Sequence, residues 1–221
     1  MLPLFANPAA LPHNRWRSIF LPVLGAFLLA AGTCQPAFAH DFGLGGGYYA
    51  DFLAGCAAVL NELPVLISLA SAGILIGLWN REGLPKVWPL FALGVIAGIL
   101  LAPLDIVEPV SAAYGPAIAL GLLAAAAIKP DMLLMRSIVF IGGLFAALAI
   151  LGGHAWGTIP AATYAGIFLA LNAGLSMTTA VVALTLQRFP YPFVPIAFRA
   201  LASWLVAIAV MAFAFIIRPG A

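Results

Sequence analysis

The sequence predicts an all-α, polytopic membrane helix bundle. Three observations carry that expectation. Of 221 residues, 65% are hydrophobic and only 7% are charged, far too little charge to cover a soluble domain of this size. The apolar runs are long and continuous, which suits helices rather than the short alternating segments of a membrane β-barrel. The connections between them are short, so neighbouring helices pack antiparallel.

The first element is a leader. Residues 1–18 hold Arg15 and Arg17 and no acid. An apolar run from Ile19 to Gly32 follows, then TCQPAFA, ending Ala37-Phe38-Ala39. A basic start, a short apolar run and small residues at −3 and −1 form a secretory signal pattern. We expect residues 1–39 to be the signal peptide and 40–221 the mature transmembrane domain. An uncleaved first helix and a lipid-modified Cys34 are the rival readings. Cleavage after Ala39 leaves His40 with a free α-amine, so amine and ring can chelate one metal ion together.

Six spans follow in the mature chain: roughly Leu60 to Trp79, Val87 to Ala102, Val110 to Ile128, Leu133 to Leu151, Ala161 to Leu186 and Ile196 to Ile217. Tyr48, Tyr49 and Phe52 point to a short interfacial helix before the first of them. Gly94 and Gly98, spaced Gly-x-x-x-Gly, allow close helix approach. Trp79, Trp88 and Trp156 fall at span ends, where interfacial anchors belong.

Lys and Arg then set the orientation. With the mature N-terminus outside, Arg81, Lys86, Lys129, Arg136, Arg188 and Arg199 all fall in cytoplasmic connections, and Arg218 is the exception. This is the positive-inside pattern. It predicts the inner membrane of a bacterium, with the mature N-terminus periplasmic. Asp41, Asp51, Asp105 and Glu108 fall outside, with Glu62 near the outer end of the first span, while Glu82 and Asp131 lie inside. His40 and His154 are outer as well. Such clustering is either loop solvation or cation capture.

The candidate residues follow. Asn61 and Glu62 sit where the first apolar run is under way, and an ionisable group inside a span is a functional hypothesis by default. Pro64 leaves a second reading open: the helix starts here, with Asn61 as its N-cap and Glu62 favoured by the helix dipole. Asn172, Ser176 and Thr179, spaced i, i+4, i+7, share one face of the fifth span. They either bond helix to helix or line a path. His154, in LGGHAWGTIP, is an exposed loop residue or a transition-metal ligand. Asp105 can attract cations at the outer face. No nucleotide, haem or flavin motif and no nucleophile–base pair is found, so we expect no enzyme and no permanently bound cofactor. No basic patch marks nucleic acid as a partner. Two cysteines, Cys34 and Cys56, give no disulfide framework.

The signal ending AFA-His, the lead GLGGGYYADFLAG, the six spans and GGHAWGTIPAATYAGIFLALNAGLSMTTAVVAL together resemble the HupE/UreJ family of hydrogenase and urease accessory membrane proteins. The resemblance covers most of the mature chain and implies entry of nickel, sometimes cobalt, as substrate. That family's first span opens with a motif of the form H-P-L-x-G-x-D-H. The ungapped match here is Gly55 to Glu62, so Gly55, Asn61 and Glu62 stand where the family has His, Asp and His. A later H-G-x-x-H motif matches Gly152 to Trp156, with both histidines absent and His154 between their positions. Only His40 matches the family's frequent mature N-terminal His. The chain reads as a divergent member. Two functions follow as expectations: uptake of a divalent metal ion through an altered or lost nickel site, or a non-transporting accessory subunit or assembly factor for a metalloenzyme. The lipid bilayer and the metal ion are the expected partners, with a membrane or metalloenzyme partner in the second case.

Overall fold

The computed structural model describes residues 47–80, 82–155 and 157–217. The leader, His40, Asp41, Arg81, Trp156 and Arg218 lie outside them. Among the described residues all regular structure is helical. The seven α-helices are α1 (Tyr48–Asn61), α2 (Leu63–Trp79), α3 (Leu84–Leu101), α4 (Pro109–Ala125), α5 (Met132–Leu151), α6 (Ala161–Arg188) and α7 (Phe193–Ile217). The all-α membrane-type bundle expected from composition is present.

Local chemistry sets the ends. The Asp131 carboxylate accepts the Leu134 N–H at 2.7 Å and opens α5. The Glu108 carboxylate accepts the Ser111 N–H at 2.9 Å and opens α4, with Pro109 at its first position. Both are side-chain caps on otherwise orphaned helix donors. After α3, a short 3-10 turn (Ala102–Leu104) leads to Asp105, which stands in the left-handed region at φ 47°. Gly153, at φ 81°, ends the path out of α5. Glycine adopts that conformation without a Cβ clash.

The spans agree with the sequence reading in number only in part. By length and composition, four helices among the described residues can cross a bilayer alone: Leu84–Leu104, Met132–Leu151, Ala161–Arg188 and Phe193–Ile216. A fifth arises if α1 and α2, bent by 75° at Glu62, act as one span. The remaining expected span is α4. It stops at Ala125, short of the expected Ile128, because Ala127 turns to φ 52° ahead of Lys129-Pro130. Its 17 residues make about 25 Å of helix.

The first span also differs from expectation. The helix expected at Tyr48 before that span is present, but it runs on to Asn61 and breaks from α2 at Glu62. Asn61 is the last residue of α1 and not the N-cap of α2. Glu62 holds the cap position, at φ −90° and ψ 90°, without a side-chain cap bond. Pro64 accounts for the break, because it has no N–H to bond the Leu60 carbonyl and its ring would clash with that carbonyl in a continuous helix.

Helix α2 is the centre of the bundle, with twelve of its 17 residues buried. It packs on α4 and α6, while α3 packs on α5, α1 on α6 and α4 on α7. Glycine sets the closest approaches. A Cβ on Gly94 would meet the backbone of Phe140, and one on Gly143 the backbone of Phe91. Gly55 and Gly166 cross in the same reciprocal way, against the backbones of Thr163 and Phe52. The expected close approach at Gly94 and Gly98 is thus present, with α5 as its partner. Thr163 Oγ1 ties α6 to α1 by donating to the Asp51 carbonyl at 3.1 Å.

At one end of the bundle the basic connections gather. Trp79 Nε1 donates to the Pro130 carbonyl at 2.8 Å. Arg199 Nε donates to the Ala125 carbonyl at 3.0 Å and Arg136 Nε to the Lys86 carbonyl at 3.4 Å. At the other end, Gly152 packs against Pro109, so the connections holding Asp105, Glu108 and His154 lie side by side.

Candidate functional site

The sequence-predicted residues divide into three places. Glu62 is half-buried at the break between α1 and α2. Its N–H donates to the Val59 carbonyl at 3.4 Å and its carbonyl accepts the Leu66 N–H at 3.0 Å, so Glu62 closes the ladder of α1 and opens that of α2. Asn61, beside it, is exposed. The Glu62 carboxylate lies within electrostatic range of Tyr114 on α4. Tyr114 is buried and packs its ring against Phe213 of α7, centroids 5.6 Å apart. A half-buried carboxylate at a helix break is the most chemically capable arrangement among the described residues.

Asp105 and His154 belong to the neighbouring connections. Asp105 is exposed, and its N–H closes the 3-10 turn on the Ala102 carbonyl at 3.2 Å. His154 is half-buried, with its N–H on the Leu151 carbonyl at 3.2 Å. Glu108, close by in sequence, has its pKa held below the usual carboxylate range. The Ser111 backbone N–H is the main cause. Among the described residues, no three His, Cys, Asp or Glu side chains come together in a group able to hold a metal ion. Glu62, Asp105 and His154 therefore do not form one such centre, and His40 lies outside the described residues.

Asn172, Ser176 and Thr179 do share a face of α6. Asn172 and Thr179 are buried and Ser176 is half-buried. Two of them bond back along their own helix: Asn172 Nδ2 donates to the Phe168 carbonyl and Thr179 Oγ1 to the Leu175 carbonyl, both at 2.8 Å. The contact with α2 comes from Thr178 instead. Its Oγ1 lies 2.9 Å from the Gly174 carbonyl and 3.2 Å from the Leu69 carbonyl of α2.

Sequence reasoning missed Ser68, Ser71 and Tyr114. Ser68 and Ser71 are buried on α2. Their signal was available: two hydroxyls three residues apart in an apolar run. Tyr114 had none, because only the fold brings α4 against α2.

In length and composition these helices are compatible with an integral membrane protein, and the bundle they build has one half-buried carboxylate at a broken helix. Comparison with models of known protein families, with curated proteins and with solved structures finds no match for the chain.

Proposed function

We propose that the chain is a bacterial inner-membrane protein of the HupE/UreJ type that moves a divalent metal ion inward through a site altered from nickel. The observation that carries this reading is Glu62, half-buried at the 75° break between α1 and α2. Ion sites in transporters are commonly built where a membrane helix is interrupted, and a carboxylate at membrane depth is costly to keep without a role. The available donors are oxygens from Glu62, Asn61 and nearby hydroxyls. Hard oxygen donors favour ions of the magnesium, calcium and manganese kind over nickel. Asp105 and Glu108 concentrate the ion at the periplasmic face, with His154 in the adjoining connection. His40 adds an amine–imidazole chelate if the leader is cut after Ala39. The membrane potential supplies about 2.3 kcal/mol per charge per 100 mV, doubled for a divalent ion.

Uptake of Mn²⁺ and Ni²⁺ into proteoliposomes tests this. Glu62→Gln is expected to lower Mn²⁺ uptake by an order of magnitude or more, the effect of losing one charged ligand. Unchanged uptake in Glu62→Gln and His154→Ala would remove the mechanism.

A second reading is a membrane accessory subunit that does not transport. The absence of a three-ligand group among the described residues favours it. Co-purification with a metalloenzyme partner, together with no uptake of either ion, decides for it.

A further inference from the structure

Resting on the transport reading, we infer that the ion's path runs down the seam between α2 and α4, lined by Tyr114, Ser68 and Ser71, and not along the Asn172–Ser176–Thr179 face of α6.

Four observations place it there. The seam starts at the break at Glu62, where α2 begins, and Tyr114 is buried on the first half of α4. Tyr114 and Gly121 are seven residues apart, so they lie on one face of α4, two turns from each other. A Cβ built on Gly121 would stand 3.3 Å from Ser71 Oγ. The two helices therefore run side by side, with Ser71 beside Gly121 farther from the break.

Beside Ser68, where α2 meets α3, α4 and α5, lies a void of about 10 Å³, lined also by Leu69, Ala72, Phe91, Leu120, Val139 and Gly142. A void of that size takes a single water at most. Ser71 is fully buried, and its hydroxyl has no hydrogen-bond partner among the described residues. An orphaned buried hydroxyl costs about 1–3 kcal/mol. Opening the seam returns that hydroxyl to water or to an ion, so the closed packing already carries a polar group that gains from opening.

The α6 face looks elsewhere. Helix α6 meets α2 through Gly174 against Leu69 and Thr178 against Gly73. Asn172 precedes Gly174 by two residues, about 200° around the helix. Ser71 likewise sits two residues from both Leu69 and Gly73, on the side of α2 away from α6. The two polar sets thus lie on opposite sides of the α2–α6 pair and cannot line one path. The α2 set is the one that adjoins Glu62.

Two measurements test the seam. The first is labelling by a charged methanethiosulfonate of Ser68→Cys, Ser71→Cys and Asn172→Cys in reconstituted vesicles, with Cys34 and Cys56 replaced by serine. Labelling at 68 and 71, slowed by Mn²⁺, is expected. Labelling at 172 alone, or at none of the three, overturns the seam. The second is Ser71→Ala, which removes an unsatisfied hydroxyl. Its thermal stability is expected to hold or rise while Mn²⁺ uptake falls about tenfold, the size of one lost bond to a charge. Unchanged uptake in Ser71→Ala with reduced uptake in Asn172→Ala overturns the seam and leaves the transport reading standing. If the unmodified protein moves no Mn²⁺, the transport reading falls, and with it the inference.

Discussion

Helices α2 and α7 are almost equally apolar, yet they occupy opposite places in the bundle. Twelve of 17 residues in α2 are buried. In α7 three are, namely Val194, Ala202 and Ala209. Hydropathy does not separate a central membrane helix from a peripheral one, since lipid tails are as apolar as leucine. Glycine does. Helix α2 carries Gly73 and Gly77, against which Thr178 and Val182 of α6 pack closely, whereas α7 has no glycine. Helix α7 carries Trp204, 72% exposed, and Phe215, 77% exposed, bulky groups suited to a lipid-facing surface.

The comparison breaks most visibly at Gly73. A Cβ there would overlap the side chain of Thr178 and stand 2.9 Å from its backbone carbonyl carbon. That carbon belongs to a helix and cannot step aside alone. Gly73→Leu is expected to cost about 3 kcal/mol or more by overpacking, read as a large fall in melting temperature or in monodisperse yield in detergent. A Gly73→Leu protein as stable as the parent would mean that α2 is not packed as described.

The next effect is smaller and lies at the far end of α2. Trp79 anchors that end through its 2.8 Å bond to the Pro130 carbonyl. Trp79→Phe keeps most of the ring and loses the donor, an expected cost of about 1 kcal/mol. On α7, Trp204→Ala is expected to stay within about 0.5 kcal/mol, as surface substitutions do. Thermal unfolding of the two variants side by side tests the ranking. A larger loss at Trp204 than at Trp79 would make α7 a buried helix, covered by something other than lipid.

Much of this was legible beforehand. The helical class, the basic end, the close approach at Gly94 and Gly98, and the shared face of Asn172, Ser176 and Thr179 all follow from pattern, because helical period and charge placement are local properties. The break at Glu62 was half visible. Pro64 and the ionisable pair marked the place, but they fit a helix start as well as a bend. What decides between them is whether the residues before it are helical, and residues 48–61 are pinned by the Gly55–Gly166 crossing, a contact between segments 111 positions apart in the numbering. The approach of Ser71 to Gly121 is likewise non-local. Burial order was the least legible, since α2 and α7 read alike until neighbours are known.

The smallest effect concerns α4, the helix packed against both α2 and α7. Its start is capped by Glu108, whose carboxyl is held below the usual carboxylate range, mainly by the Ser111 N–H. A group with a depressed folded pKa contributes stability that is fully present above its unfolded value. That contribution fades as pH falls through the folded value. The carboxylate is exposed, so solvent screens it and the effect is slight. Thermal unfolding of the parent and of Glu108→Gln from pH 7 to pH 3 isolates it, because the other acids are common to both. The gap in favour of the parent is expected to be constant above about pH 4.5 and to close at lower pH. A gap that does not change with pH would show that the charge on Glu108 adds nothing to the cap. The charge at the start of α4 would then matter no more than the lipid-facing side chains of α7.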